Sequence, residues 1–241
     1  MNLTLKNKFF RFVFYLIGML LLAVGLMLNT KTGLGVSAIM MLPYVVSEIW
    51  NLNFGNAAFV LYGLFVVVQI ALHATGDRKN RGVLLIRDVL QLPVSLLFTR
   101  VMNWISSVVP LLSEAYSGRF LGSFPGRVAV LLIAVICTGV GAAMTLNMRL
   151  VPNPADGIVQ SLAERTGKRI GFVKNCLDLG SVVLACLIGL MFANSIIGVG
   201  VGTLVAALGV GRIMHLFEQL CRDRMLCLAG MKNNTEDGNE N

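Results

Sequence analysis

The ionisable side chains within the apolar stretches of this chain fall into two short groups whose spacing suits binding chemistry. Lys174, Asn175 and Asp178 open a long uncharged stretch, and Lys174 and Asp178, four residues apart, share one helix face. Asp156 stands upstream of them, just after the break Val151-Pro152-Asn153-Pro154. Arg87, Asp88 and Gln91 lie along one edge of another apolar segment. Ionisable groups inside a membrane are costly and commonly mark a solute, ion or proton site. A carboxylate there can hold a proton or a cation, and an arginine can clamp an anion or pair with the carboxylate. Each group also has a structural reading. Lys174 can snorkel to the interface with Asp178 as its partner, Arg87 can anchor its segment, and Asp156 can be an ordinary first-turn acid. Both readings stay open from sequence.

The elements that must position these residues are helices in a bilayer. Apolar residues make up 56% of the 241 and charged residues 13%, half the usual share for soluble domains, and the mean hydropathy is +0.77. The stretches 12–30, 49–76, 128–148 and 179–211 hold no Asp, Glu, Lys or Arg. Each is long enough for a spanning helix, and no strand alternation appears, so the expected class is all-α integral membrane. The net charge of +8 does not indicate nucleic acid, because the basic residues flank the apolar segments as topology signals. Lys6, Lys8 and Arg11 precede the first apolar run, which is expected to be a retained helix and not a cleaved leader.

The chain reads as one unit written twice at an offset of 116. Val24-Gly25 falls on Val140-Gly141, Glu48 on Glu164, Gly55 on Gly171, and Gly82-Val83 on Gly198-Val199. The expected division is a first repeat over 1–113, a linker over 114–126, a second repeat over 127–230 and a disordered polar tail over 231–241. Each copy predicts a long helix, a short interrupted segment, and two more long helices: 9–29, 34–50, 54–74 and 83–100, then 127–147, 153–166, 171–192 and 197–217. Segments 101–113 and 218–229 mix apolar and polar residues and are expected as separate interfacial helices. Ser37 and Asn153 align at the starts of the two short segments and suit the N-cap position; Pro154 suits the first helical turn.

If each short segment returns to the side it left, each half crosses three times and the second half is inverted. Fourteen of the basic residues then fall inside and four (Lys31, Arg100, Arg119, Arg127) outside. Six crossings with both termini cytoplasmic follow. Broken helices at depth expose backbone groups that only protein or a wet cavity can satisfy, and two such breaks at matching places point to a site between the halves. Helix starts at Ser37 and Asn153 would favour a small polar or anionic solute there. The alternative is that 34–50 and 153–166 lie flat at the interface.

At the breaks, Gly33-Leu34-Gly35-Val36-Ser37 and Pro154-Ala155-Asp156-Gly157, with Gly198-Val199-Gly200-Val201-Gly202-Thr203 and Asp88-Val89-Leu90-Gln91-Leu92-Pro93, the chain resembles the YczE/YyaS/YitT-like group of bacterial membrane proteins. That resemblance covers about residues 10–220 and implies a bacterial cytoplasmic-membrane protein without a defined activity. Members carry a Ser-Pro-Trp-Asp stretch after the glycines. Here the first copy has Ser37-Ala38-Ile39-Met40 and the second Asn153-Pro154-Ala155-Asp156, so only one copy keeps the acid.

The expected function is a secondary transporter or solute-binding membrane protein, with Ser37, Arg87, Asp88, Gln91, Asn153, Asp156, Lys174, Asn175 and Asp178 as its site. The alternatives are a non-transporting accessory or sensor subunit, or the substrate-binding subunit of an energy-coupling importer. Enzymatic chemistry is not expected, since no His-Glu-x-x-His or Gly-x-Ser-x-Gly occurs. Cys221 and Cys227 are poorly spaced for a metal, and His73 and His215 are far apart in sequence, so neither metal nor cofactor is expected. The expected partners are the lipid bilayer and either a second copy or a partner subunit.

Overall fold

A computed structural model describes residues 5–75 and 81–231. Among the described residues nine α-helices follow one another: α1 Leu5–Lys31, α2 Ala38–Ile49, α3 Phe54–Ala74, α4 Arg81–Val108, α5 Leu112–Ala115, α6 Phe124–Met148, α7 Pro154–Thr166, α8 Ile170–Ala193 and α9 Val201–Leu228. No strand occurs among the described residues. Six of the helices are long and apolar enough to cross a bilayer, which makes this a multi-pass membrane protein. The tail 232–241 lies outside the described residues, as do Arg78 and Lys79.

Local chemistry sets most boundaries. Ser123 accepts a hydrogen bond from the Gly126 amide at 3.4 Å to start α6, with Pro125 in its first turn. Asn53 and Asn153 cap α3 and α7 in the same way, each at 3.0 Å. The segments 101–113 and 218–229 are not separate interfacial helices. Most of the first continues α4 and most of the second continues α9. No breaker stands between Arg100 and Val101 or between Phe217 and Glu218, so the backbone keeps its i→i−4 bonds until Pro110 and Gly230 lie close ahead.

At the centre, α1 crosses α6 at very close range. A β-carbon on Gly141 would meet the Leu22 amide and the Gly18 carbonyl; one on Gly25 would meet the Thr138 amide and the Ala134 carbonyl. Small residues at such crossings let dispersion forces act between backbones where no hydrophobic drive exists.

The two short helices lie inside the bundle and not flat on its surface. α2 starts beside the middle of α3, where the Tyr62 hydroxyl faces the Met40 sulfur at 4.0 Å. It then runs back along α3 until Tyr44 meets Phe54 edge to face. α7 leaves the same level in the other direction, its Pro154 carbonyl bonded by Gln69 and its Ser161 beside His73. α2 packs on α8 through Met41, Val45 and Ala185, all buried, while α7 packs on α3. The breaks that precede them are held in matching fashion. Arg11 donates to the Met148 and Arg149 carbonyls at 2.7 and 2.8 Å where Arg149 turns left-handed, and Arg127 donates to the Thr32 carbonyl at 3.4 Å. Backbone bonds from Val36 to Gly198 and from Gly202 to Leu34 complete the first break.

Filling the α1–α6 contact is expected to destabilise the bundle. Gly141→Val should lower the midpoint of heat-induced loss of monodisperse protein, reflecting about 1–3 kcal/mol of overpacking. Gly180→Val, which meets nothing within 4 Å, should not. Fluorescence-detected size exclusion after heating reads both.

Candidate functional site

Where α2 and α7 begin, the bundle encloses a cavity of about 460 Å³, in the range of small-molecule sites. Its walls come from α1, α2, α3, α6, α7, α8 and α9. Ser37, Asn153, Asp156, Lys174, Asn175 and Asp178 all line it, so six of the nine residues singled out from sequence meet in one place. Lys174 Nζ stands 3.9 Å from Asp178 Oδ2, an (i, i+4) pair. Tyr62 closes the floor, its hydroxyl within reach of the Asn153 side chain. Asp156 sits in the first turn of α7, outside the six long helices, and is part-exposed towards the cavity. Loss of solvation raises its carboxyl above the ordinary carboxylate range; Lys174 opposes the rise and Asp178 adds to it.

The cavity is walled unequally. α3 and α4 are zipped together: Asn103 accepts from the Gly55 amide at 3.0 Å, Arg100 donates to Asn56 at 3.2 Å, and Phe98 packs on Tyr62. α8 and α9 scarcely touch. A β-carbon on Gly55 would collide with Asn103, whereas one on the aligned Gly171 would meet nothing within 4 Å. Phe98, Thr99 and Met102 are buried, and the residues 116 further on, Met214, His215 and Glu218, line the cavity instead.

Arg87, Asp88 and Gln91 are not in this cavity. Asp88 and Gln91 belong to a buried polar seam joining α3, α4 and α7. His73 Nδ1 lies 2.6 Å from Asp88 Oδ2, and Ser161 Oγ lies 3.2 Å from His73 Nε2. Gln69 and Gln91 exchange amide hydrogen bonds at 3.1 and 2.9 Å, and Gln69 also donates to the Pro154 carbonyl. Asp88 is therefore partnered by His73 and not by the neighbouring Arg87. The order serine, histidine, aspartate is that of a nucleophile relay. Ser161, however, is 5% exposed and mid-helix with its own amide committed to α7, so the chain of bonds acts as a strut. The corresponding contact between α2 and α8 is apolar: Val45 stands for Ser161, Ala185 for Gln69 and Gly189 for His73.

Gln69, His73 and Ser161 in the seam, and Gln160, His215 and Glu218 in the cavity, are not among the nine site residues expected from sequence. Gln69 and His73 did carry a signal: they are four apart in an otherwise apolar helix and face Gln91 and Asp88, three apart in the next. Glu218 and His215 gave none, since their position follows from the parting of α8 and α9.

The seam makes a testable energetic prediction. Gln69→Leu or Gln91→Leu alone strands a buried amide and should cost about 1–3 kcal/mol. The Gln69→Leu/Gln91→Leu double variant should cost less than the sum of the two. Thermal unfolding of the four proteins, read as a double-mutant cycle, measures the coupling.

Two comparisons with known proteins bear on this site. A profile described as a family of unknown function (DUF6198) matches residues 9–219, which takes in every cavity residue and the whole seam. An uncharacterized protein of Haemophilus influenzae is 28% identical over 91 residues, or 38% of this chain. The match spans likewise 38% of that relative's length. No solved structure matches. With the profile spanning nearly all of the described helices, the chain belongs to the DUF6198 family of unknown function.

Proposed function

We propose that this protein is a secondary transporter for a small solute, built as two inverted repeats that rock about the α1–α6 crossing and expose the cavity to one side of the membrane at a time. The observation that carries this reading is the unequal pair of seams. Aligned positions are buried between α3 and α4 but face the cavity between α8 and α9. A molecule whose halves exchange these states would open the other way, with α4 parting from α3 and α9 closing on α8. Inverted repeats with broken helices at the midplane work in this manner.

Support for the inverted pairing comes from the helix limits. α2 and α7 begin at 38 and 154, and α3 and α8 at 54 and 170, each pair 116 apart. The clamps match as well, because Arg11 holds the carbonyl of Met148 and its counterpart Arg127 holds that of Thr32. The excess of basic residues on one side supports an orientation with both termini cytoplasmic, and the resemblance to the YczE/YyaS/YitT-like group implies a bacterial cytoplasmic membrane. The open seam then faces the cytoplasm. No enzymatic step is assigned. A fixed accessory subunit would have no need of a second state.

Cross-linking separates these readings. In a chain freed of its five cysteines, Asn56→Cys/Arg100→Cys should be joined rapidly by a short reagent, and Phe172→Cys/Leu216→Cys only slowly. A fixed assembly predicts that the second pair never joins. Linking both pairs within one molecule at once would sink the rocking model.

Orientation is tested separately. A cysteine placed at Lys168 should react with an impermeant maleimide only after the membrane is opened from the cytoplasmic side. Labelling of intact cells would overturn the inverted topology.

A further inference from the structure

The chemistry of the cavity wall identifies a class of solute. Its charged residues are three carboxylates, Asp156, Asp178 and Glu218, against one lysine. Lys174 is already engaged with Asp178 at 3.9 Å. Asp156 has no side-chain hydrogen bond or ion pair among the described residues and stands beside the cavity. The start of α7 does not call for an anion, because Asn153 caps it at 3.0 Å and Asp156 supplies negative charge in its first turn. The apolar part of the wall comes from Leu22, Leu26, Met40, Ala142, Val159 and Met214 on five helices. Among the described residues no three of His, Cys, Asp and Glu gather into a metal-holding group, so the carboxylates offer ion pairing and not chelation.

We propose that the cavity takes a monovalent organic cation, an amine or ammonium with an apolar body, which pairs with the Asp156 carboxylate in competition with a proton. This deepens the transporter reading and rests on it. Binding the cation to the protonated protein releases one proton from Asp156, and proton return displaces the cation, so charge balances in a one-for-one exchange. The groups that face Asp156 across the cavity are Tyr62 from α3, Lys174 and Asp178 from α8, and His215 and Glu218 from α9; α1, α2 and α6 present none that titrates. Burial raises the Asp156 carboxyl above the ordinary carboxylate range, the direction such an exchange needs. The start of α2, where Ser37 makes no capping side-chain bond, and the Lys174 ammonium are the features of the wall that would instead receive an anion.

Equilibrium binding to the purified full chain in nanodiscs decides the matter with three water-soluble probes of similar size: benzyltrimethylammonium, 3-phenylpropionate and phenylalanine. The ammonium carries a fixed charge, so any pH dependence belongs to the protein. It should bind saturably and at least tenfold more tightly than the other two, and its affinity should fall about tenfold per pH unit once Asp156 protonates. Asp156→Asn should abolish that binding and Asp178→Asn weaken it, while Asp223→Asn, at the far end of α9, should leave it unchanged. His215→Gln should retain the acid limb, which separates Asp156 from the imidazole. If Asp156→Asn fails to assemble, an acid limb retained in Asp178→Asn and Glu218→Gln as well as in His215→Gln leaves Asp156 as its source, and its loss in any one of them overturns the assignment. Tighter binding of the anion or the zwitterion would overturn the cation class yet leave a solute site standing. Absence of saturable ammonium binding would overturn it as well, with the cross-linking experiment judging the transporter reading on its own.

Discussion

Backbone amides and carbonyls have no water to turn to inside a bilayer, and this constraint governs the architecture. Two segments here, 32–37 and 149–153, leave the helical ladder where long helices surround them. Each has its orphaned groups met by the opposite half of the chain: Arg11 and Tyr15 serve the second break, and Arg127, Gly198 and Gly202 serve the first. Neither half could therefore keep its break without the other. The close α1–α6 crossing brings the two sets of donors and acceptors within reach, and the cavity is the space left where the two short helices start.

The same division of labour explains why one seam is strong and the other loose. α3 and α4 are joined by amide pairs, an asparagine cap and a histidine–aspartate contact, all directional. At the aligned places α8 and α9 offer Gly171, Ala185, Gly189, Leu204 and Ala207, whose side chains make no directional bond, and Gln219, which turns to His215 on its own helix. The polar seam also reaches α7 through Ser161 and the Pro154 carbonyl. The helix that carries Asp156 into the cavity is thus fixed to α3 and α4, while Lys174 and Asp178 ride on α8. A movement of one group against the other alters the spacing of those three charges directly.

Much of the framework was legible in the sequence because uncharged length, glycine position and capping residues act locally. Ser37 and Asn153 stand at helix starts, the short helices have matching limits, and Gly25 and Gly141 sit in the central crossing. Six proposed site residues share the cavity because both breaks end where α2 and α7 begin, with the first turns of α8 alongside. Arg87, Asp88 and Gln91 misled for a physical reason. A polar edge on a helix looks the same whether it faces a solute or the amides of a neighbour, and only packing reveals Gln69 and His73 opposite it. The extents of α4 and α9 were misjudged because polar residues near a helix end suggest a new element when the backbone has no cause to stop. The parting of α8 from α9 was invisible, since it is a property of one arrangement and not of either helix.

The arginine clamps have a bearing on how the chain enters its membrane. Arg11 and Arg127 each spend their guanidinium on carbonyls at the end of a partner helix. Their places are dictated by hydrogen-bond geometry, so neither is free to answer to an insertion bias. Arg127 stands where the first break requires a donor. During synthesis Arg11 emerges long before the carbonyls of Met148 and Arg149, and Thr32 long before Arg127. The first break must wait unsatisfied until α6 arrives, which makes insertion of the second half the event that completes the first.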